Sequence, residues 1–329
     1  MVETTGMAPE KRDERMRHTE TLLMLAGPVL RGYLEDDRIN NIFVNPNGTC
    51  LVQHSEGGKT QVDAVDLDAL DRFLAAVADG VGQEWREQTP SLHAALPEVG
   101  WRIQAAMPPE VPALTMALRK HPANRPIWTL EDYRAQGILT HTQFEAVHAL
   151  IQGKARLIVG GATGSGKTSI VNAILYELLK RYVALVILED DPELIARGSD
   201  VRFFRTSAST TMSDLVVRSL RYQPDWVIVG EVRDGAAIDM ANAFDTGHSG
   251  ISTVHADSAE DIMWRLGELT TMPRGTGDQR QNPRHDLLGR VIDAVMHMER
   301  EDQTHKLRCT KILGVRGYAQ GVYQLQPLA

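Results

Sequence analysis

The chain has 329 residues, a formal charge of −8, 43% hydrophobic and 24% charged residues, and two cysteines, Cys50 and Cys309. That length allows about two domains, and the acidic balance argues against a dedicated nucleic-acid binder. Two distant cysteines exclude a disulfide framework and a paired C-x-x-C zinc site.

Residues 1–18 read as a solvated tail without a signal-peptide core, and the apolar run "LLMLAGPVL" is too short to span a bilayer. Apolar spacing predicts a helix over Thr19–Leu34. The turn signals "NPNG" and "EGG" then separate short β-type runs, and Asp66–Val81 returns to helical spacing. "GWRIQAAM" alternates as a half-buried strand does, and "LTMALRK" reads as another. Residues 19–120 therefore form a small α+β domain. "HPANRPIW", with Pro122 and Pro126, opens a linker over 121–135.

From 136 to 329 the pattern changes to strands alternating with helices. "ARLIVGG", "VALVILED", "DWVIVGE" and "ISTVHAD" are buried-type strands, and Thr168–Lys180 is an amphipathic helix. The expected fold is α/β, a parallel-sheet P-loop domain with a smaller N-terminal α+β domain. "GATGSGKT" matches G-x-x-x-x-G-K-[ST] between a strand and a helix. In that loop Gly161, Ala162, Thr163, Gly164, Ser165 and Gly166 would turn backbone N–H groups onto phosphates, beside the helix N-terminus and Ser169. Lys167 would place its charge between the β- and γ-phosphates, and Thr168 would ligate Mg²⁺. The ligands expected are ATP and Mg²⁺.

Ligands of open parallel sheets sit beyond the strands' carboxyl ends. Glu189 and Asp190, Glu231, and His255 each end a predicted strand. Acids there suit metal coordination, by Glu189 and Asp190 beside Thr168, and orientation of an attacking water. The competing reading of Glu189 and Asp190 is a solvated turn or helix cap. Asp225 falls at the opposite end and reads as a strand-start turn. In "DTGHSGISTVHAD" the odd spacing of His248 and His255 in an extended segment turns their rings to opposite faces, against a two-histidine metal site. His248 reads as a loop brace, and His255, at a strand end beside Glu231 and the phosphate loop, as a γ-phosphate sensor, with a satisfied structural histidine as its competing reading. Asp257 reads as a helix N-cap, with Glu260 completing a capping box.

The boxes "GATGSGKT", "LVILEDDPEL", "LRYQPDWVIVGEVRD" and "TGHSGISTVHAD", with "WTLEDYRAQGILT" and "VNPNG", resemble the secretion ATPases of type II and type IV secretion, conjugation and type IV pili, most of all the TrbB-type conjugative branch. The resemblance runs from about residue 20 to 300. It implies a homo-hexameric ring, with a PAS-like N-terminal domain clamping nucleotide against a RecA-like domain. It implies Glu231 as catalytic carboxylate assisted by Glu189, with Arg233 and Arg221 flanking the site and Arg102 and Arg119 reaching the terminal phosphates. An exposed surface arginine is the competing reading of Arg102. The family's partners would be inner-membrane channel proteins, with a coupling protein as a further candidate, and the location cytoplasmic and peripheral at the inner membrane. The missing cysteine pairs and the missing "AIRNLI"-type signature argue against the alternative of a pilus or type II motor. A nucleotide-gated scaffold with little turnover is the alternative of a different class, disfavoured by intact Glu189 and Glu231. A RecA-like helicase is disfavoured by the acidic charge and the lack of clustered basic and aromatic residues.

Overall fold

The computed structural model describes residues 9–36, 38–54, 58–96, 101–120, 127–207, 209–273, 284–301 and 306–329, with backbone alone for 9–16. Pro122 and Pro126 of the expected linker lie outside these residues, as do Ser55, Glu56 and Gly57 in and beside the "EGG" turn. The chain divides into two compact units, 1–125 and 126–329.

The first unit begins with helices α1 (Pro9–Leu25) and α2 (Gly27–Glu35). The single helix expected over Thr19–Leu34 is thus two, broken where Gly27 takes φ 75° ahead of Pro28. Helix α1 also starts well before Thr19, because "PEKRDERMRHTE" is rich in good helix formers yet has no apolar period to register. Strands β1 (Ile39–Val44), β2 (Cys50–His54) and β3 (Lys59–Val62) follow, then helix α3 (Leu67–Gly80), capped by the Asp66 side chain. β4 (Ser91–Leu96), β5 (Trp101–Ala106) and β6 (Thr115–Lys120) complete an antiparallel sheet of order β3-β2-β1-β6-β5-β4. One face of it, with Ile42, Ile103 and Leu118, packs on the helices through Leu30, Leu70 and Phe73. Alternation therefore puts Arg102 and Arg119 on the other face.

In the second unit, α4 (Leu130–Ala135) and α5 (His141–Gln152) precede β7 (Arg156–Gly160) and α6 (Lys167–Leu179). α4 falls inside the stretch read from sequence as linker. Then come β8 (Leu185–Glu189), β9 (Val201–Arg205), α7 (Met212–Ser219), β10 (Trp226–Val229), α8 (Ala236–Asp245), β11 (Ser249–Val254) and α9 (Ala259–Leu269). Helix α10 (His285–Val291) and strands β12 (Ala294–Arg300), β13 (Leu307–Ala319) and β14 (Val322–Pro327) end the chain. The eight-stranded sheet runs β14-β13-β12-β7-β11-β10-β8-β9, parallel from β12 to β9 and antiparallel at β13 and β14.

Period-two alternation in fully apolar strands feeds two cores. Leu157, Val159, Ile187, Ile228 and Ile251 face the layer of α4, α5 and α6. Ile158, Val186, Val227, Val229 and Val254 face α7 to α10. Helices on both faces of a mostly parallel sheet make this unit an α/β domain, in keeping with the expected RecA-like P-loop fold, and the first unit the smaller α+β domain. The N-cap of α9 is Ser258, which accepts from the Asp261 amide at 3.2 Å, rather than the expected Asp257. Glu260 pairs instead with Lys311 at 2.6 Å. Among the described residues no helix is long and apolar enough to cross a membrane.

Candidate nucleotide site

The order of the sheet places β7 between β11 and β12, with β10 and β8 beyond β11. Every chemistry-bearing strand end is therefore on one edge. The loop leaving β7 has left-handed glycines that its path requires. Gly166 caps α6 at φ 89°, and a Cβ at Gly161 would stand 2.1 Å from the Met298 carbonyl oxygen. Lys167 Nζ donates to the carbonyls of Gly161 at 2.7 Å and Ala162 at 2.9 Å, which holds the ammonium in the mouth of the loop. Burial lowers its pKa, against the opposing charges of Glu231 and Glu193. The Arg300 Nε donates to the Gly164 carbonyl at 2.8 Å and ties the loop to the end of β12. Burial raises the pKa of the Tyr133 hydroxyl on α4, and the nearby Ser169 side chain opposes the rise.

The acids are unequal. Glu231 follows β10, where its carboxylate accepts from Arg233 Nε at 2.7 Å and lies 2.9 Å from His255 Nε2. His255 Nδ1 is 3.5 Å from Lys167 Nζ, so the imidazole stands between the lysine and the carboxylate. Glu189 is 3% exposed, and its Oε1 accepts the N–H groups of Glu193 and Leu194 at 2.7 Å each. Burial raises its pKa to about 7, against the lowering effect of those two N–H bonds. Asp190 accepts from Thr206 at 2.9 Å. The acid in contact with Thr168 is Glu193, whose Oε2 accepts the Thr168 hydroxyl at 2.9 Å.

Sequence reasoning missed Glu193, which stands inside "LVILEDDPEL" but past the end of the predicted strand. An acid four residues after Glu189, beyond Pro192, marks Glu193 as a further candidate, but nothing in the spacing ranks it above Glu189 or Asp190. The structure thus gathers Lys167, Thr168, Glu231, Arg233 and His255, with Glu189 behind Glu193. Arg221 lies in the turn Leu220–Tyr222 ahead of β10, where the Tyr222 ring packs against Phe204 of β9. Arg102 and Arg119 are cross-strand partners within the first unit. His248 Nδ1 contacts Thr246 Oγ1 at 3.0 Å and the Ala243 carbonyl at 3.3 Å, bracing the end of α8.

The residues fit a triphosphate and a hard cation. The Ser165 hydroxyl is buried within the glycine cradle without a hydrogen-bond partner, and Thr168 with Glu193 offers two adjacent oxygens. No group of three or more His, Cys, Asp or Glu that could hold a metal occurs among the described residues. A cation here would complete its shell with phosphate oxygens and water, as Mg²⁺ commonly does.

A glycine cradle, a lysine in its mouth and acids on one sheet edge define a P-loop nucleotide-binding protein. Residues 88–306 match the type II/IV secretion system protein family, and the chain belongs to that family. It is 30% identical over 296 residues to a probable conjugal transfer protein TrbB of Sinorhizobium fredii, covering 89% of this chain and 88% of that protein. It is also 30% identical over 304 residues to the type IV secretion system protein VirB11 of Brucella suis, covering 82% and 83%. In fold it is similar to the Legionella pneumophila ATPase DotB, with TM-score 0.61, 17% identity, and 95% and 82% of the two chains covered. The pilus retraction motor PilT, solved with bound ADP, is similar at TM-score 0.60 and 18% identity, with 86% and 80% covered.

Proposed function

We propose that this protein is a Mg²⁺-dependent ATPase, assembling as a hexamer, that energises a conjugative or type IV secretion channel from the cytoplasmic side of the inner membrane. The observation that carries the hydrolytic part is the chain of contacts Lys167–His255–Glu231–Arg233, at 3.5, 2.9 and 2.7 Å. The glycine loop and Lys167 bind the phosphates. Glu231 is held by Arg233 through one oxygen, and the other lies beside His255 without a hydrogen-bond partner, which leaves it able to position a water. His255 touches both the phosphate-binding lysine and that carboxylate, which suits it to report whether the terminal phosphate is present. Thr168 and Glu193 would hold the Mg²⁺, which when bound neutralises phosphate charge. Kinship with conjugal transfer and type IV secretion proteins supports the choice of machinery, and channel proteins of such a system are the partners that reading implies.

Phosphate release by wild type and Glu231→Gln, with and without DNA, tests the reading. Loss of one water-positioning group is expected to slow release by about a hundredfold or more, with ATP still bound. Equal rates in the two proteins would sink the ATPase assignment and favour a scaffold, whereas strong stimulation by DNA would favour a translocase on nucleic acid.

A further inference from the structure

Glu193 lies in irregular chain after β8, yet its backbone is tied on both sides. From the sheet, Glu189 Oε1 takes the N–H groups of Glu193 and Leu194 at 2.7 Å each. From helix α6, Asn172 Oδ1 takes the N–H of Ile195 at 2.8 Å, while its Nδ2 donates to the Glu193 carbonyl at 3.3 Å. Three consecutive backbone donors are therefore satisfied by two side chains that are 3% and 6% exposed. Asn172 stands four residues after Thr168, so both project from one face of α6. The segment bearing Glu193 is thereby registered against the same helix that presents the Thr168 hydroxyl, and the contact between them is 2.9 Å.

We propose that Glu189 and Asn172 are positioning residues, a two-sided clamp on Glu193–Ile195 that sets the Glu193 carboxylate against Thr168 for a divalent cation. The cation's place rests on the nucleotide reading above; the clamp itself does not. The geometry gives Glu189 a task other than coordinating the ion, since the oxygen it directs at this segment is spent on two backbone N–H groups. It also gives a neutral polar residue inside helix α6, Asn172, a part in cation binding that its chemistry alone would not suggest. Among the described residues, both amide atoms of Asn172 bond to this segment.

The full-length protein decides it by two measurements: amide hydrogen exchange over residues 190–197 without nucleotide, and Mn²⁺ affinity in the presence of ADP. Asn172→Leu and Glu189→Ala should each speed exchange across Glu193–Ile195 at least about tenfold, because the protected donors lose their acceptors. Both should weaken Mn²⁺ by about tenfold to a hundredfold, as loss of groups that orient a ligand does, while ADP affinity in EDTA shifts less than about threefold. Glu189→Gln retains an acceptor oxygen, so it should keep the slow exchange and most of the Mn²⁺ affinity. Mn²⁺ binding as poor in Glu189→Gln as in Glu189→Ala would overturn the proposal, since the charge itself would then be serving the ion. Unchanged exchange in both Asn172→Leu and Glu189→Ala would overturn it as well. Wild type that fails to bind ADP would sink the nucleotide reading alone, with the exchange result still deciding the clamp.

Discussion

Glu189 shows how burial and hydrogen bonding compete at one carboxyl. Desolvation raises its pKa to about 7 from an ordinary 4.5, with Glu193 adding to the rise and the N–H groups of Glu193 and Leu194, and Arg205, opposing it. The folded protein then binds more protons than the unfolded chain between those two values, so stability falls as pH rises through that window. Glu189→Gln lacks this titration. Its stability relative to wild type should improve from pH 4.5 to 7 by up to about 3 kcal/mol, measured by denaturant unfolding at a series of pH values. A wild-type advantage that grows with pH would contradict the assignment. Legibility at this scale was uneven. Lys167, Thr168 and Glu231 could be found from motif and strand ends, whereas Glu193 could not be ranked above Glu189 and Asp190. Which of several acids in one turn meets a threonine depends on how the turn folds back, and no spacing rule encodes that.

Helix ends in the second unit are written in local code. Thr129, Thr140 and Thr211 each form a reciprocal capping box, with Asp132, Gln143 and Asp214 as the third residue of their helices. At α5 the box has a second duty. Gln143 accepts from the Thr140 N–H at 3.0 Å, and its amide donates 3.1 Å to the Cys309 carbonyl on β13, where Gln143 is buried. Thr140→Ala should cost about 1 kcal/mol, the usual value of a lost cap. Gln143→Ala should cost more, about 2–4 kcal/mol, because a cap and a buried acceptor lose their partner together. Thermal unfolding of the two variants checks the order, and equal losses would show that the bond to β13 contributes nothing. Short capped helices such as α4 escaped the sequence reading because one and a half turns carry too little apolar period to be seen beside Pro122 and Pro126.

The whole molecule joins an acidic chain of net charge −8 to a P-loop sheet and a separate antiparallel unit. If the hexamer is the working form, sedimentation of the wild-type protein with ATP and Mg²⁺ should give a mass about six times that of the chain, as closed symmetric rings require. A monomer at all concentrations would refute that assembly. Arg102 and Arg119 pair across β5 and β6 on the sheet face opposite the helices, and the resemblance implies that they reach phosphate. By itself the sequence determined the glycine loop with Lys167 and Thr168 and the class of fold. A phosphate loop needs glycines at set intervals, and buried parallel strands need unbroken apolar runs, so both requirements are local and leave a mark in the order of residues. Only the tertiary structure decided which acid faces Thr168 and that His255 stands between Lys167 and Glu231. Those facts follow from strand order and from a turn clamped by distant side chains, and contacts made across the sheet carry no period along the chain.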